Sequence, residues 1–283
     1  MQVGRPSKTA FSVARRRAAH QILDSQPLVL SDPIAVPILG PGAAANITAE
    51  ADTHNSQFGR AMRSFVVARS RYAEEHLRTA VENGVTQYVV LGAGLDTFAY
   101  RNPYAQLKVF EVDYPATQEW KRYLLAQVLI EIPPSLTFVP VDFEKQNLTD
   151  GLALTTFDFA KPAFFSWLGV TPYLTLDAFR ATIHAIGSMP EGSGVTFEYA
   201  LDRSLLSFRE KIAFDFIADR VAQAGEPFQL FFSPDDMREE LRHAGFTRIE
   251  ELTSSEINDR YFRDRRDGLK LQGNVARLIT AWR

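Results

Sequence analysis

The sequence predicts a single α/β domain built on a doubly wound, mostly parallel β-sheet. Five short apolar runs rich in β-branched and aromatic residues occur at 87–91, 108–112, 137–141, 163–167 and 195–199. Helical patterns follow the second run, at 115–129, and the fourth, at 176–186. Strands that alternate with helices form parallel sheets covered on both faces. The first run ends in Gly92-Ala93-Gly94, at the strand end where such sheets bind their ligands.

Composition limits the class of protein. The 283 residues are 46% apolar, 12% aromatic and 23% charged, which is ordinary globular usage and excludes disordered and collagen-like chains. The net charge of -3 lacks the basic footprint of a nucleic-acid-binding protein, so no nucleic-acid partner is expected. Without cysteine there are no disulfides, thiolate metal sites or cysteine nucleophiles. The five histidines form no ligand-spaced pair, and no metal is expected.

The apolar stretch 28–45 is too interrupted to span a membrane or to serve as a secretory signal. It contains Asp32 and the prolines Pro33, Pro37 and Pro41. We therefore expect a cytoplasmic protein with no membrane partner.

The N-terminal part is predicted to be helical. The run Arg15-Arg16-Arg17 is best interpreted as the solvent-exposed face of a helix, with a site for an anionic ligand as the alternative. A second helix is predicted over 64–82, because its apolar residues share one face and Gly84 follows as a stop signal.

The C-terminal part has a different pattern. An amphipathic stretch over 202–224 is equally consistent with a lid over a ligand pocket and with a packed helix. Ser233-Pro234-Asp235-Asp236 starts a helix that Gly245 ends, since a capping serine, proline and acids favour a first turn. The runs 246–252 and 275–282 are predicted to be the last two strands.

Acidic residues at two strand ends indicate a nucleoside site beside the glycines. Asp113 lies about 20 residues beyond them, the spacing at which a carboxylate reaches ribose hydroxyls, although it could instead cap the helix opened by Pro115. Asp142 could accept a hydrogen bond from an adenine amino group while Phe143 lies against the purine. Taken singly, Asp142 is better explained as a turn residue.

Several nucleotide and hydrolase motifs are missing. Thr97 stands where a dinucleotide fingerprint has its third glycine, which weakens the case for a pyrophosphate site. The chain has no Gly-x-x-x-x-Gly-Lys loop and no Gly-x-Ser-x-Gly elbow. A nucleotidase of the P-loop class and a serine hydrolase are therefore not expected.

Taken together, these motifs resemble the leucine carboxyl methyltransferase family, including its bacterial S-adenosylmethionine-dependent O-methyltransferases. The resemblance begins at Asp32-Pro33 and covers most of the chain. Its most specific part is the string from Gly92 to Thr97. The segments that carry it are 90–97, Arg101, 110–115, 141–143 and 169–174.

The resemblance implies a class I, Rossmann-like methyltransferase fold with a seven-stranded sheet whose last strand is antiparallel. It implies one domain over 1–283, with a helical cap over 1–84, a core over 85–283 and a lid insertion at about 200–235. The cofactor would be S-adenosyl-L-methionine, with S-adenosyl-L-homocysteine as the product. Its expected contacts are Arg69 with the carboxylate, Gly92, Ala93 and Gly94 with the methionine part, Asp113 with the ribose, and Asp142 and Phe143 with the adenine.

One residue departs from the family pattern. Leu168 stands where many members have an acidic residue, so the ammonium group of the cofactor lacks an obvious carboxylate partner. Backbone carbonyls, Glu111 or Asp96 are the candidates to replace it.

The acceptor is expected to be a small molecule or peptide that is methylated on a carboxylate or hydroxyl oxygen. A carboxylate is ionised at neutral pH and needs no general base, and the sequence shows no clear base. Placement at the sheet edge and on the lid makes Tyr173, Tyr199 and Arg209 candidate acceptor residues. The alternatives are an NAD(P)-dependent oxidoreductase, which shares the glycines and the ribose acid, and a non-catalytic S-adenosylmethionine-binding protein.

Overall fold

The computed structural model describes residues 8–143, 146–223 and 225–283, in which ten α-helices and seven β-strands are found. The helices are α1 (Lys8–Leu23), α2 (Ala43–Ala49), α3 (Ala51–Asn55), α4 (Gln57–Glu82), α5 (Pro115–Gln127), α6 (Leu148–Ala153), α7 (Leu176–Gly187), α8 (Phe208–Gln223), α9 (Pro234–His243) and α10 (Ser254–Tyr261). The strands are β1 (Gln87–Leu91), β2 (Lys108–Asp113), β3 (Leu136–Pro140), β4 (Phe164–Trp167), β5 (Gly194–Ala200), β6 (Arg248–Leu252) and β7 (Ala276–Trp282). No helix in these ranges combines the length and apolar character needed to cross a membrane.

The seven strands form one sheet in the order β3-β2-β1-β4-β5-β7-β6. Strands β1 to β5 pair in parallel, and β7 runs antiparallel between β5 and β6. The strand order reverses between β1 and β4, so the loops that follow these two strands diverge and leave a crevice at their carboxyl ends. The sheet confirms the fold class, the seven strands and the antiparallel last strand expected from the sequence.

Apolar side chains cover both faces of the sheet. Alternate residues of a strand point to opposite faces. In β1, Val89 and Leu91 join the apolar cluster that contains Trp167 and Phe179, whereas Tyr88 and Val90 join the cluster that contains Trp282. The central strands are therefore buried on both sides, as in sheets with helices on both faces.

The strand predictions are confirmed to within two residues, and the differences lie in the helices. Helix α4 begins at Gln57 rather than at 64, because the Ser56 hydroxyl caps it by accepting from the Gly59 N–H at 3.1 Å. The described part of the predicted stretch 202–224, which leaves out residue 224, contains a short 3₁₀ helix and α8. Helices α2, α3, α6 and α10 were not predicted, although α10 opens with a capping box formed by Thr253 and Glu256.

A buried ionic cluster connects α1 and the loop after it to the segment that follows the glycine turn. Asp32 accepts from the Thr97 hydroxyl at 2.6 Å, and its Oδ2 lies 3.0 Å from Nε of Arg17. Arg17 also donates to the carbonyl of Leu95. The side chains of Asp32 and Arg17 are 0% and 4% exposed, so the solvent-exposed interpretation of the arginine run is wrong for Arg17. Thr97, which stands where a dinucleotide fingerprint has its third glycine, is therefore a member of this cluster.

Replacing Asp32 by alanine is expected to lower the free energy of unfolding by about 3–5 kcal/mol, the usual effect of removing one partner of a buried ion pair. The substitution would leave the Arg17 guanidinium with Asp96, at 3.8 Å, as its remaining carboxylate neighbour. Urea denaturation measures the change. Asp150→Ala, which removes an exposed carboxylate from α6, is the matched control. Equal effects of the two substitutions would show that the cluster does not stabilise the fold.

Candidate active site

A cavity of about 1450 Å³ lies at the carboxyl edge of the parallel strands, between the sheet and helices α1, α4 and α8. Pockets for a single drug-sized ligand measure roughly 300–1,000 Å³, so this cavity has room for two molecules side by side. All ten candidate residues line it, and the structure thus brings the predicted site together. They are Arg69, Gly92, Ala93, Gly94, Asp113, Asp142, Phe143, Tyr173, Tyr199 and Arg209.

The turn after β1 needs its two glycines. Gly92 and Gly94 have φ angles of 62° and 49°, in the left-handed region that side chains disfavour. A Cβ on Gly92 would overlap Cγ2 of Val170, and one on Gly94 would lie 3.0 Å from Cβ of Ala10 in α1. The bare backbone of this turn therefore forms part of the cavity wall.

Asp113 ends β2 beside this turn and is held by backbone donors. Its carboxylate accepts from the N–H of Gly94 and, at 2.6 Å, from the N–H of Tyr114. Burial raises its pKa to about 6, while these two hydrogen bonds oppose the shift. The alternative role in capping α5 is not observed, because Tyr114 occupies the cap position and makes no side-chain capping hydrogen bond.

Asp142 and Phe143 follow β3, and both are half-buried. The N–H of Asp142 donates to the side-chain oxygen of Gln146 at 3.0 Å, and its carbonyl accepts from the Gln146 N–H at 2.8 Å. The backbone of Asp142 thus forms a turn, as the alternative interpretation expected. Both residues also line the cavity, where their predicted contact with adenine stays a prediction.

Arg69 and Glu198 form a buried ion pair at the centre of the cavity wall. Arg69, on α4, donates to Oε1 of Glu198, on β5, and the N–H of Gly169 donates to the same oxygen at 2.6 Å. Oε2 of Glu198 is buried and has no hydrogen-bond partner among the described atoms. Burial raises the pKa of Glu198, and the Arg69 charge opposes that shift. A Cβ on Gly169 would lie 2.8 Å from Nη2 of Arg69, so this glycine makes room for the guanidinium.

Glu198 is a site residue that the sequence analysis missed. The available signal was a single charged residue inside the β-rich strand run 195–199. An acid at a fully buried strand position requires a partner, and Arg69 is one such partner. Leu168, the departure from the family pattern, also lines the cavity, next to Gly169. Glu198, on the neighbouring strand β5, thus places a carboxylate beside Gly169.

Of the two acids suggested for the cofactor ammonium, Glu111 is not among the residues that line the cavity. Its carboxylate accepts from Nζ of Lys121, on α5, at 2.6 Å. Asp96 does line the cavity, but its carboxylate lies 3.8 Å from Arg17 of the ionic cluster. Glu198 is better placed than either.

The three candidate acceptor residues differ in which side-chain groups are available to contact a ligand. The Tyr173 ring packs 5.2 Å from Phe228, and burial raises its pKa to about 12. The Tyr199 hydroxyl donates to Glu251 of β6, so its ring is the part left to contact a ligand. Arg209 is exposed in the first turn of α8 and has no carboxylate within 4 Å in the described part of the chain.

A ligand crevice at the switch point of a 3-2-1-4-5-7-6 sheet, with a glycine turn after β1 and an acid at the end of β2, defines a Rossmann-like methyltransferase fold. The model of the leucine carboxyl methyltransferase family matches residues 10–187. The chain belongs to this family, which confirms the resemblance found in its sequence.

Similar proteins agree with this assignment. YktD of Bacillus subtilis is 37% identical over 206 residues, covering 72% of this chain and 67% of YktD. A Mycobacterium avium protein is 30% identical over 195 residues, covering 65% of this chain and 62% of that protein, less than two thirds of its length. Both carry the provisional name of an S-adenosyl-L-methionine-dependent methyltransferase.

Two solved structures share the fold along nearly the whole chain. A provisionally named methyltransferase from Thermobifida fusca has a TM-score of 0.59 at 17% identity, covering 100% of this chain and 96% of that chain. A DUF574 family protein from Streptomyces avermitilis has a TM-score of 0.55 at 14% identity, covering 95% and 96%. At these identities the likeness shows the fold alone.

Proposed function

We propose that this protein is an S-adenosyl-L-methionine-dependent O-methyltransferase that acts on a carboxylate or hydroxyl oxygen of a small molecule or peptide. The cofactor would lie along the glycine turn, with Asp113 on the ribose hydroxyls and Asp142 and Phe143 at the adenine. Arg69 would face its carboxylate, and Oε2 of Glu198 would accept from its ammonium group. The family and the names of the relatives support this cofactor.

The observation that carries the proposal is the unpartnered Oε2 of Glu198 beside Arg69. A buried carboxylate oxygen without a donor is costly, and a bound ammonium group would supply that donor. The Arg69 guanidinium lies next to this carboxylate, because it donates a hydrogen bond to Oε1 of Glu198. A cation and an anion side by side suit a ligand that carries ammonium and carboxylate groups on one carbon. A nicotinamide dinucleotide has no amino-acid end, so the oxidoreductase alternative leaves this pair unexplained.

When bound, the cofactor supplies a methyl group already activated on a sulfonium. The residues of this chain then need to position the acceptor oxygen and exclude water. The phenol of Tyr173, with its raised pKa, stays protonated at neutral pH and can donate a hydrogen bond to an acceptor. A carboxylate acceptor needs no base, whereas a hydroxyl acceptor would have to lose its proton to solvent or to a cavity carboxylate.

Incubation of the protein with methyl-labelled cofactor and a panel of carboxylic and phenolic compounds tests the proposal. We expect label on at least one acceptor. A label that mild alkali releases identifies a carboxyl ester, and a stable label identifies an ether. Binding of S-adenosylhomocysteine without labelling of any acceptor would instead favour the non-catalytic binding protein.

The affinity for S-adenosylhomocysteine is expected to fall as the pH is lowered from about 7.5 to about 5. In the protein without ligand, the Asp113 carboxyl has a pKa of about 6. Its ionised form accepts from ribose hydroxyls better than its protonated form does, so protonation below that pKa weakens binding. Calorimetric titration across this pH range measures the effect. Asp113→Asn should bind more weakly and lose the transition near pH 6, and an unchanged transition in that variant would contradict the assignment.

A further inference from the structure

We propose that Arg16 on α1 and Arg220 on α8 form a second anion site in the acceptor part of the cavity. This inference rests on the proposed function. The site would bind an anionic group of the acceptor that is separate from the oxygen to be methylated. The chemical class of acceptor is then a small amphipathic organic acid, with an apolar body and a charged group remote from the reacting atom.

Arg16 is a cavity-lining cation that the fold leaves without an acidic partner. Its Nη1 donates to the carbonyl of Ser12, at 3.1 Å, and to the Ser12 hydroxyl, both within its own helix. No carboxylate lies within 4 Å of it in the part of the chain that the structure describes. Its neighbours in the arginine run are engaged elsewhere, Arg15 with Glu50 at 2.5 Å and Arg17 with Asp32. The anionic-ligand alternative for this run therefore applies to Arg16.

Arg220, an exposed residue of α8, lines the same cavity. Its guanidinium lies 5.6 Å from the ring centres of both Phe58 and Phe216, which contact each other edge to face at 5.3 Å. Two aromatic rings fix the position of the cation without neutralising it. Among the described residues, no carboxylate lies within 4 Å of Arg220.

The two arginines influence each other electrostatically. Burial lowers the pKa of Arg16 to about 10, and the charge of Arg220 is the next largest cause, ahead of those of Arg69 and Arg15. Arg16 stays protonated at neutral pH, so two cations line one cavity, and a bound anion would reduce the repulsion that Arg16 experiences. A charge-assisted hydrogen bond from each guanidinium is a strong contact for a carboxylate, phosphate or sulfonate group.

The walls around this pair are apolar. Phe58, Phe65, Ile212, Phe216 and Phe228 all line the cavity. Phe216 and Ile212 are 50% and 57% exposed, so the apolar surface extends to the cavity entrance on α8. A hydrophobic acceptor body would cover these side chains while its charged group contacts the arginines.

Two fluorescent probes that share one ring system test the proposal. 8-Anilinonaphthalene-1-sulfonate carries an anionic group, and N-phenyl-1-naphthylamine lacks it. With S-adenosylhomocysteine present, we expect the sulfonate probe to bind the wild-type protein about tenfold more tightly than the neutral one. Arg16→Gln and Arg220→Gln should each weaken the sulfonate probe about tenfold, the effect of one lost charge-assisted contact, and change the neutral probe less than about twofold.

Matched variants control for loss of net charge. Arg15→Gln, next to Arg16, and Lys211→Gln, on α8 outside the cavity, should leave both probes unchanged. Equal affinity of the sulfonate probe for the wild type and both arginine variants would overturn the inference, as would equal weakening by the control variants. S-adenosylhomocysteine binding is measured in parallel on every variant. If the wild type does not bind S-adenosylhomocysteine, the proposed function is contradicted. If only an arginine variant loses this binding, the second anion site is overturned.

Discussion

Asp113→Ala is expected to lower the affinity for S-adenosylhomocysteine by at least about a hundredfold. The substitution removes the proposed acceptor for two ribose hydroxyls, and hydrogen bonds to a charged group contribute roughly 1.5–3 kcal/mol each. It also removes the carboxylate that accepts from the Gly94 N–H, so the glycine turn loses an anchor. Isothermal titration calorimetry measures the change.

The control for this variant is Asp150→Ala, which removes an exposed carboxylate from α6, outside the cavity. Its affinity should match the wild type. Because Asp113 is buried, the thermal stability of the variant is measured as well. A folded Asp113→Ala protein that binds S-adenosylhomocysteine as tightly as the wild type would exclude the ribose role.

Glu198→Gln is expected to impair both stability and binding. The amide has nearly the size of the carboxylate but no charge, so Arg69 would stay buried without its ionic partner. Removing one partner of a buried pair typically costs about 3–5 kcal/mol of folding free energy. The proposed ammonium contact is lost as well, which should weaken S-adenosylhomocysteine at least about tenfold. Urea denaturation and calorimetry measure the two effects, with the exposed Glu131→Gln as control.

A double variant separates the two roles of the pair. Arg69→Met with Glu198→Leu removes both charges, and apolar replacement of a buried ion pair is often neutral for stability. We expect this variant to regain most of the stability lost by Glu198→Gln and still fail to bind S-adenosylhomocysteine tightly. Recovery of binding together with stability would show that the pair serves the fold alone.

The sheet could be predicted closely because its signals are local. Short β-rich runs bounded by glycine and proline fixed each strand to within two residues, and the acids at the ends of β2 and β3 followed from their position at a parallel sheet edge. The short helices α2 and α3 were not predicted because they lie beyond the proline-rich segment and bury few residues of their own.

The partners of charged side chains could not be predicted, because they depend on contacts between distant parts of the chain. The three consecutive arginines 15–17 have different roles, which a charge pattern alone does not separate. Glu198 and Arg69 are 129 positions apart, and only the packing of α4 across β4 and β5 brings them together. The sequence indicated the guanidinium of this site without its carboxylate.

Separate calorimetric titrations of the wild-type protein with S-adenosylhomocysteine and with NAD test the central claim most directly. We predict that S-adenosylhomocysteine binds with one site per chain and a dissociation constant on the order of micromolar, and that NAD gives no binding heat at millimolar concentration. Binding of NAD in its place, or no binding of S-adenosylhomocysteine at millimolar concentration, would contradict the assignment of this cavity to a sulfonium cofactor.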